Sequence, residues 1–256
     1  MTEKIDLLSL LPEEIGTYLA SLGEPRYRAK QIFDWCRRGT PIGAMSNLPA
    51  TLREKLAETC EWRLPAVAVK QTSALDGTVK YLFRLIDGNC VESVLMRYHH
   101  GTTLCISSEV GCPMGCKFCA STIGGKVRNL SPSEMLGQVI AASLDAGERI
   151  DGVVLMGIGE PLDNYDNVIK FLRLVGHPAG LNIGYRHISL STCGIVPSIY
   201  DLAQEDLPIT LSVSLHAATD EARSAIMPVN RRYPVGELLR ACADYFRATG
   251  RRISFE

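Results

Sequence analysis

The second half of the chain, from Thr102 onward, alternates between short apolar segments and longer amphipathic ones. The short segments predict strands and the longer ones predict helices, because apolar residues recur with the periods of those elements. The predicted strands are TLCISSEV, GVVLMGIG, HISLST, ITLSVSLHA and RISFE, and the predicted helices begin at Ser131, Asn164, Val196 and Val235. This alternation indicates an α/β fold with a parallel sheet and right-handed crossovers. We therefore expect ligand-binding groups at the carboxyl ends of the strands.

The preceding residues divide into two further segments. Residues 1–64 contain three helical patterns, which are LPEEIGTYLASLG, a helix from Pro25 to just before Gly39, and a helix over 48–58. They predict a small helical domain, whose basic residues are Arg26, Arg28, Lys30, Arg37 and Arg38. A solvated helix face and an RNA contact explain these charges equally well. Residues 65–100 show a period near two and two Asp-Gly turns, which predicts a β-hairpin connector to a core over 101–256.

Composition restricts the function classes. The 256 residues carry a formal net charge of −1, so any RNA-binding surface has to be a local patch. The N-terminus is acidic and lacks a signal-peptide profile, and no apolar run reaches membrane-spanning length, which predicts a cytoplasmic protein. Nine cysteines in a reducing compartment indicate metal or redox chemistry instead of a disulfide framework.

Three of the cysteines form a compact group directly after the first core strand. Cys112, Cys116 and Cys119 have the spacing C-x3-C-x2-C, and thiolates suit iron–sulfur clusters and zinc. A four-iron cluster held by three cysteines leaves one iron open to another ligand. A structural zinc site normally has four protein ligands, and His99 or His100 could supply the fourth. Three free cysteines without a metal are the remaining alternative, and the spacing favours the cluster.

The cysteine loop and several other segments resemble the radical S-adenosylmethionine superfamily, and more narrowly the adenine-C2 methyltransferases of bacterial 23S ribosomal RNA. The segments are FDWCRRG, MSNLPATLREKL, CISSEVGC, MGIGEPL, LSTCG, SLHA and MPVNRRYP, and the resemblance extends from about Leu10 to Glu256. It implies a TIM-like (β/α)6 barrel, here truncated after the fifth strand. It also implies a [4Fe-4S] cluster and S-adenosylmethionine as cofactors, with two molecules of the latter per turnover.

The resemblance also assigns roles to individual residues. It places Gly159, Glu160, Ser191, Ser214, Leu215 and His216 around S-adenosylmethionine. Cys105 matches a cysteine that forms a transient disulfide with a methyl-carrying cysteine, and Glu92 matches a proton acceptor. The family methylates its cysteine first and then adds the resulting carbon radical to C2 of an adenine in 23S rRNA or in a tRNA. An electron donor such as a flavodoxin or ferredoxin system is implied, and we expect a monomer.

Two other functions share part of this pattern. The sister activity, methylation at C8 of the same kind of adenine, uses the same cysteine loop and confers antibiotic resistance. A non-catalytic iron–sulfur or zinc RNA-binding protein would bind metal without cleaving S-adenosylmethionine. The cofactor-type motifs at three successive strand ends, near Glu160, Ser191 and Ser214, oppose the non-catalytic alternative.

The sequence departs from the family at one point. No residue matches the methyl-carrying cysteine, and the chain stops at Glu256 within a predicted strand, so we expect a truncated or fragmentary sequence. We predict that purified protein of this length binds cluster and cofactor but does not complete methyl transfer. The measurement is the yield of C2-methylated adenine from RNA incubated with the reconstituted protein. Methylated product in that assay would contradict the prediction.

Overall fold

The computed structural model describes residues 4–256. Its α-helices are α1 (Pro12–Ser21), α2 (Arg28–Arg37), α3 (Ala50–Thr59), α4 (Pro132–Ala146), α5 (Tyr165–Gly176), α6 (Val196–Leu202), α7 (Asp220–Ile226) and α8 (Val235–Thr249). No helix among these described residues is both long and apolar enough to cross a membrane.

The strands form one large sheet and two short pairs. They are β1 (Ile5–Asp6), β2 (Cys60–Glu61), β3 (Ala66–Thr72), β4 (Val79–Arg84), β5 (Cys90–Tyr98), β6 (Gly101–Cys105), β7 (Glu109–Gly111), β8 (Lys126–Asn129), β9 (Gly152–Leu155), β10 (Ile188–Thr192), β11 (Thr210–Val213) and β12 (Ile253–Phe255). The large sheet has eight strands in the order β12-β11-β10-β9-β6-β5-β4-β3. The predicted α/β class is therefore confirmed.

Strand β6 joins the two halves of this sheet. On one side it pairs antiparallel with β5, where Cys105 lies opposite Val94. On the other side it pairs parallel with β9, where Cys105 lies opposite Val154. Strands β9, β10, β11 and β12 continue the parallel half. The predicted hairpins of the connector thus exist, and they extend the same sheet that carries the parallel strands.

The two faces of the large sheet differ in burial. Along β5, Val91, Ser93 and Leu95 are buried, whereas Glu92 and Val94 between them are only half-buried. Helix α4 covers the buried face, where the Ser93 hydroxyl donates to Gln138 at 2.8 Å. The opposite face carries the half-buried side chains and is the face on which the predicted functional groups lie.

Several element boundaries differ from the predictions. Helix α2 begins at Arg28 and not at Pro25, because Pro25 starts a turn in which its carbonyl accepts the Arg28 amide at 3.2 Å. The segment TLCISSEV is two strands, since the chain leaves the sheet after Cys105 and the Ser107 amide donates to the Gln138 side chain instead. Helix α7 was not predicted, and its seven residues give too short a pattern to recognise.

The start of α4 has the capping box that Ser131 and Glu134 predict. The Glu134 amide donates to the Ser131 hydroxyl at 3.3 Å, and the Ser131 amide donates to the Glu134 carboxylate at 3.0 Å. Glu134 also binds both terminal nitrogens of Arg128 at 2.8 Å. The box therefore anchors the helix that covers the sheet behind the cysteine loop.

We predict that Ser131→Ala lowers the free energy of unfolding by about 1 kcal/mol, because it removes the acceptor for a helix-terminal amide. Urea denaturation followed by circular dichroism measures the change. Thr51→Ala, on the exposed side of α3, is the control and is expected to change stability by less than about 0.5 kcal/mol. Equal effects of the two substitutions would contradict the prediction.

Candidate functional site

The cysteine loop connects β7 to β8, an antiparallel pair that stands outside the large sheet. Gly111, at the end of β7, has φ +76°, and a Cβ there would lie 1.9 Å from the Gly125 carbonyl oxygen, so only glycine closes this hairpin. Within the loop, Cys112 and Cys116 are buried and Cys119 is half-buried. The short hairpin thus holds the three thiols close to the ends of the parallel strands.

A cavity of about 180 Å³ lies between this loop and the strand ends. Its walls include most of the predicted site residues, namely Cys112, Cys116, Cys119, Gly159, Glu160, Ser191, Ser214 and His216. The structure therefore brings together residues from the cysteine loop and from the ends of β9, β10 and β11. A larger cleft of about 490 Å³ lies elsewhere, is lined by charges of both signs, and contains none of the predicted site residues.

Three predicted residues lie outside the walls of this cavity. The Leu215 side chain packs against the hydrophobic core, while its backbone carbonyl accepts from Arg223. Cys105 lies next to the cavity, because the carbonyl of the adjacent Ile106 accepts the amide of the wall residue Gly157 at 3.0 Å. Glu92 is on the strand next to Cys105, two residues from Val94, and its carboxylate forms an ion pair with Lys80 at 2.7 Å.

Two buried carboxylates fix the strand ends on the cysteine side of the cavity. Glu160 accepts the Cys193 amide at 2.7 Å and the Leu162 amide at 3.0 Å. The Glu160 amide in turn donates to Glu109 at 2.9 Å. Burial raises the pKa of both carboxyls, although hydrogen bonds from backbone amides lower the pKa of each. Each carboxylate thus holds the backbone of a neighbouring strand end.

Gly159 has a backbone conformation that the contact between the end of β9 and Glu109 requires. Its φ is +108°, and a Cβ there would lie 2.6 Å from the Glu109 Cβ and 2.8 Å from the Glu109 amide nitrogen. Only glycine allows the end of β9 to approach β7 this closely. The backbone at Gly159 therefore approaches both the side chain and the backbone of Glu109.

His216 is held in an uncommon backbone conformation at the end of β11. Its φ is +54°, which only a few per cent of non-glycine residues adopt. Its amide donates to the Glu256 carbonyl at 2.9 Å, and its ring meets Phe118 edge-on with centroids 4.9 Å apart. The imidazole is thereby placed against the cysteine loop, in the wall of the cavity.

Glu109, Cys193 and Arg223 belong to the same site, and the sequence did not single them out as functional. Glu109 is fully buried and forms an ion pair with Lys126 at 2.7 Å. Lys126 also pairs with Asp163. Cys193 packs against Cys116, and Arg223 donates to the Cys193 carbonyl at 2.6 Å. An acidic residue inside the apolar segment before the cysteines was the one available signal for Glu109.

The three loop cysteines and Cys105 form no disulfide in this structure. Burial raises the pKa of Cys112 to about 12 and also raises the pKa values of Cys116 and Cys105. All nine cysteines are free, so the disulfide that the resemblance implies for Cys105 has no support here. In the sheet, the cross-strand neighbours of Cys105 are Val94 on one side and Val154 on the other, and neither is a cysteine.

The residues around the cavity fit an iron–sulfur cluster better than a single ion. Within residues 4–256, no three His, Cys, Asp or Glu side chains converge closely enough to hold one metal ion, so the zinc alternative gains no support. In a cluster, each thiolate binds a different iron and the thiolates need not converge on one point. Three soft thiol donors line one cavity, and the fully buried Arg223 beside them is available to balance their negative charge.

Three of the five basic residues considered for RNA binding are either buried or paired with an acidic residue. Arg37 is buried, and Arg28 and Arg38 form ion pairs with acidic residues of their own helical segment at 3.9 and 2.7 Å. Arg26 and Lys30 remain exposed. The net basic surface of the helical segment is therefore smaller than the sequence indicates.

The parallel strands, the three-thiol loop and the glycine-rich strand ends together define a radical S-adenosylmethionine enzyme. The family model "Radical SAM superfamily" matches residues 106–255, and the model "Ribosomal RNA large subunit methyltransferase N-terminal domain" matches residues 5–62. A crystal structure of a radical SAM methyltransferase from Sphaerobacter thermophilus superimposes with a TM-score of 0.92 at 44% identity, covering 98% of this chain and 75% of that one.

Similar proteins show which family of radical S-adenosylmethionine enzymes this chain belongs to. The probable dual-specificity RNA methyltransferase RlmN of Clostridium acetobutylicum is 52% identical over 98% of this chain and 73% of its own length. The same probable enzyme of Symbiobacterium thermophilum is 54% identical over 95% of this chain and 67% of its own length. The chain therefore belongs to the RlmN family of RNA methyltransferases. It spans about three quarters of the length of the Clostridium acetobutylicum relative.

The buried environment of Cys105 generates a prediction. We expect its alkylation by iodoacetamide to become fast only at a higher pH in the folded protein than in urea, because burial raises its pKa and favours the unreactive thiol. Site-resolved mass spectrometry across pH 6–11 measures both profiles in the same chain. Identical midpoints in the folded and unfolded protein would show that burial does not control this thiol.

Proposed function

We propose that this chain supplies the cofactor-binding and base-modifying site of an enzyme that methylates C2 of an adenine in 23S rRNA, and in a tRNA as well. The observation that carries the proposal is the single cavity lined by three loop thiols and by Glu160, Ser191 and Ser214 from successive strand ends. Family membership supports an RNA substrate, because the relatives are named dual-specificity RNA methyltransferases.

Cys112, Cys116 and Cys119 are the residues that we propose as ligands of a [4Fe-4S] cluster. When bound, the cluster supplies the electron that cleaves S-adenosylmethionine, so that an unactivated aromatic carbon can be methylated. Gly159, Glu160, Ser191, Ser214, Leu215 and His216 are proposed to bind and orient S-adenosylmethionine. Glu160 supports this because a carboxylate accepts more than the two amide hydrogen bonds that it already makes.

Cys105 and Glu92 are proposed to act on the RNA base. The two residues lie on adjacent strands and on the half-buried face of the sheet, and Cys105 precedes Ile106, whose carbonyl accepts the amide of the wall residue Gly157. We propose that Cys105 acts as a thiol in product release and that Glu92 accepts the proton from C2. The target base has to leave its stack to reach this face.

The remaining parts of the proposal concern organisation and partners. We propose a helical accessory domain over 1–64, a connector over 65–100 and a core over 101–256 whose five parallel strands are part of a (β/α)6 barrel. Two S-adenosylmethionine molecules are used per turnover, and a flavodoxin or ferredoxin system donates electrons. The enzyme acts as a monomer in the cytoplasm, where its RNA substrates are made.

Anaerobic reconstitution with iron and sulfide tests the cluster. We expect a brown protein that releases 5′-deoxyadenosine from S-adenosylmethionine on reduction, and we expect Cys119→Ala to lose that release because one of three ligands is missing. Cys119 is only half-buried, so the substitution costs little stability. Cys90→Ala, on β5 away from the cavity, is the control. A colourless wild-type protein that binds zinc would contradict the proposal.

The position of methylation needs a separate measurement. In cells whose own gene carries Cys119→Ala, we expect mass mapping of RNA nucleosides to show loss of 2-methyladenosine, while any 8-methyladenosine is unchanged. Loss of 8-methyladenosine instead would assign the sister C8 activity.

A further inference from the structure

Arg223 is the largest fully buried side chain among the described residues, and it has no anionic partner. Its guanidinium donates to the carbonyl oxygens of Cys193 at 2.6 Å, Ser214 at 3.0 Å and Leu215 at 3.1 Å. A fourth hydrogen bond goes to the Asn230 side-chain oxygen at 3.0 Å. No carboxylate in residues 4–256 lies within ion-pair distance of it. A buried charge that only neutral acceptors satisfy is unfavourable unless an anion is nearby.

Asn230 lies between Arg223 and the carboxylate of Asp220. The Asn230 amide donates to Asp220 at 3.0 Å while its oxygen accepts from Arg223. Asp220 also accepts the Val235 amide at 2.7 Å, so its carboxylate is turned toward the start of α8. Asp220 therefore does not neutralise the guanidinium directly.

The other groups that act on Arg223 are thiols of the cavity. Cys193 and Cys116 pack together with Met227 in one small cluster at the end of α7. Their negative charge, when they are ionised, favours the protonated guanidinium, whereas burial lowers its pKa. The last turn of α7 is also hydrogen-bonded to the cysteine loop, since the Lys117 amide donates to the Ile226 carbonyl at 2.9 Å. The helix that carries Arg223 is thus fixed to the proposed cluster-binding loop.

We propose that Arg223 is a positioning residue that supplies the buried positive charge balancing the cluster held by the loop thiolates. The proposal rests on the function proposed above. Reduction adds one electron from an external reductant to the cluster, and Arg223 stays protonated throughout, so no proton has to move. A fixed positive charge stabilises the reduced, more negative cluster and therefore makes the cluster easier to reduce.

If Arg223 had a purely structural role, the midpoint potential of the cluster would depend on the shape of its side chain and not on its charge. The same four hydrogen bonds tie the ends of β10 and β11 to α7, and that tie depends on the forked shape of guanidinium. The substitution Arg223→Lys keeps the positive charge but loses the forked shape of the guanidinium. The substitution Arg223→Gln loses the charge and keeps a polar hydrogen-bond donor. The midpoint potential of the cluster separates charge from shape.

The experiment is an anaerobic redox titration, followed by electron paramagnetic resonance, of the reconstituted wild type and of Arg223→Gln, Arg223→Lys and Arg37→Gln. We expect Arg223→Gln to lower the equilibrium constant for reduction at least tenfold, which is 59 mV for one electron. Arg223→Lys is expected to stay within that margin of the wild type. Arg37 is a second buried arginine, in α2 and away from the cavity, and its substitution should leave the potential unchanged.

The outcomes are distinct for the two proposals. A wild type that holds no iron–sulfur cluster overturns the proposed function. A wild-type cluster whose potential is unchanged in Arg223→Gln overturns the role of Arg223 alone. If Arg223→Gln does not retain iron, the midpoint potential of Arg223→Lys provides the test instead. A shift of that potential by more than 59 mV, with the positive charge retained, overturns the electrostatic role.

Discussion

A chain of buried hydrogen bonds between charged side chains and backbone amides holds the site together. Lys126 pairs with Glu109, Glu109 accepts the amide of Glu160, and Glu160 accepts the amide of Cys193. The carbonyl of Cys193 then accepts from Arg223. Four segments distant in sequence are thereby joined end to end around one cavity. Because Glu109, Glu160 and Arg223 are buried, removing one of them leaves a buried neighbour unsatisfied, and the penalty is larger than the net value of a single hydrogen bond.

The same arrangement bears on the metal cluster that we propose for this cavity. The carboxylates of Glu109 and Glu160 are occupied by backbone amides and by Lys126, so they oppose additional negative charge less than free carboxylates would. The thiols of Cys112 and Cys116 have raised pKa values, and metal binding has to displace their protons.

Local signals in the sequence predicted local structure well. The Ser131–Glu134 capping box and the cysteine spacing depend on a few adjacent residues, and the structure has the box where it was expected. The long-range partners were not predictable in the same way. Glu109 has one partner 51 residues away and Arg223 has one partner 30 residues away, and no single-sequence pattern encodes those two pairings. The pairing of the connector with the core sheet likewise depends on register and not on local propensity.

Strand β6 has a consequence for the order in which the chain folds. Its antiparallel neighbour β5 precedes it by a tight turn, whereas its parallel neighbour β9 begins only after the cysteine loop and α4. Closing a short turn costs less conformational entropy than closing a long crossover. The antiparallel meander β3–β6 is therefore the natural template, and its free edge at β6 nucleates the parallel strands. We expect the residues around Cys105 to acquire native structure before the cavity beside them has formed.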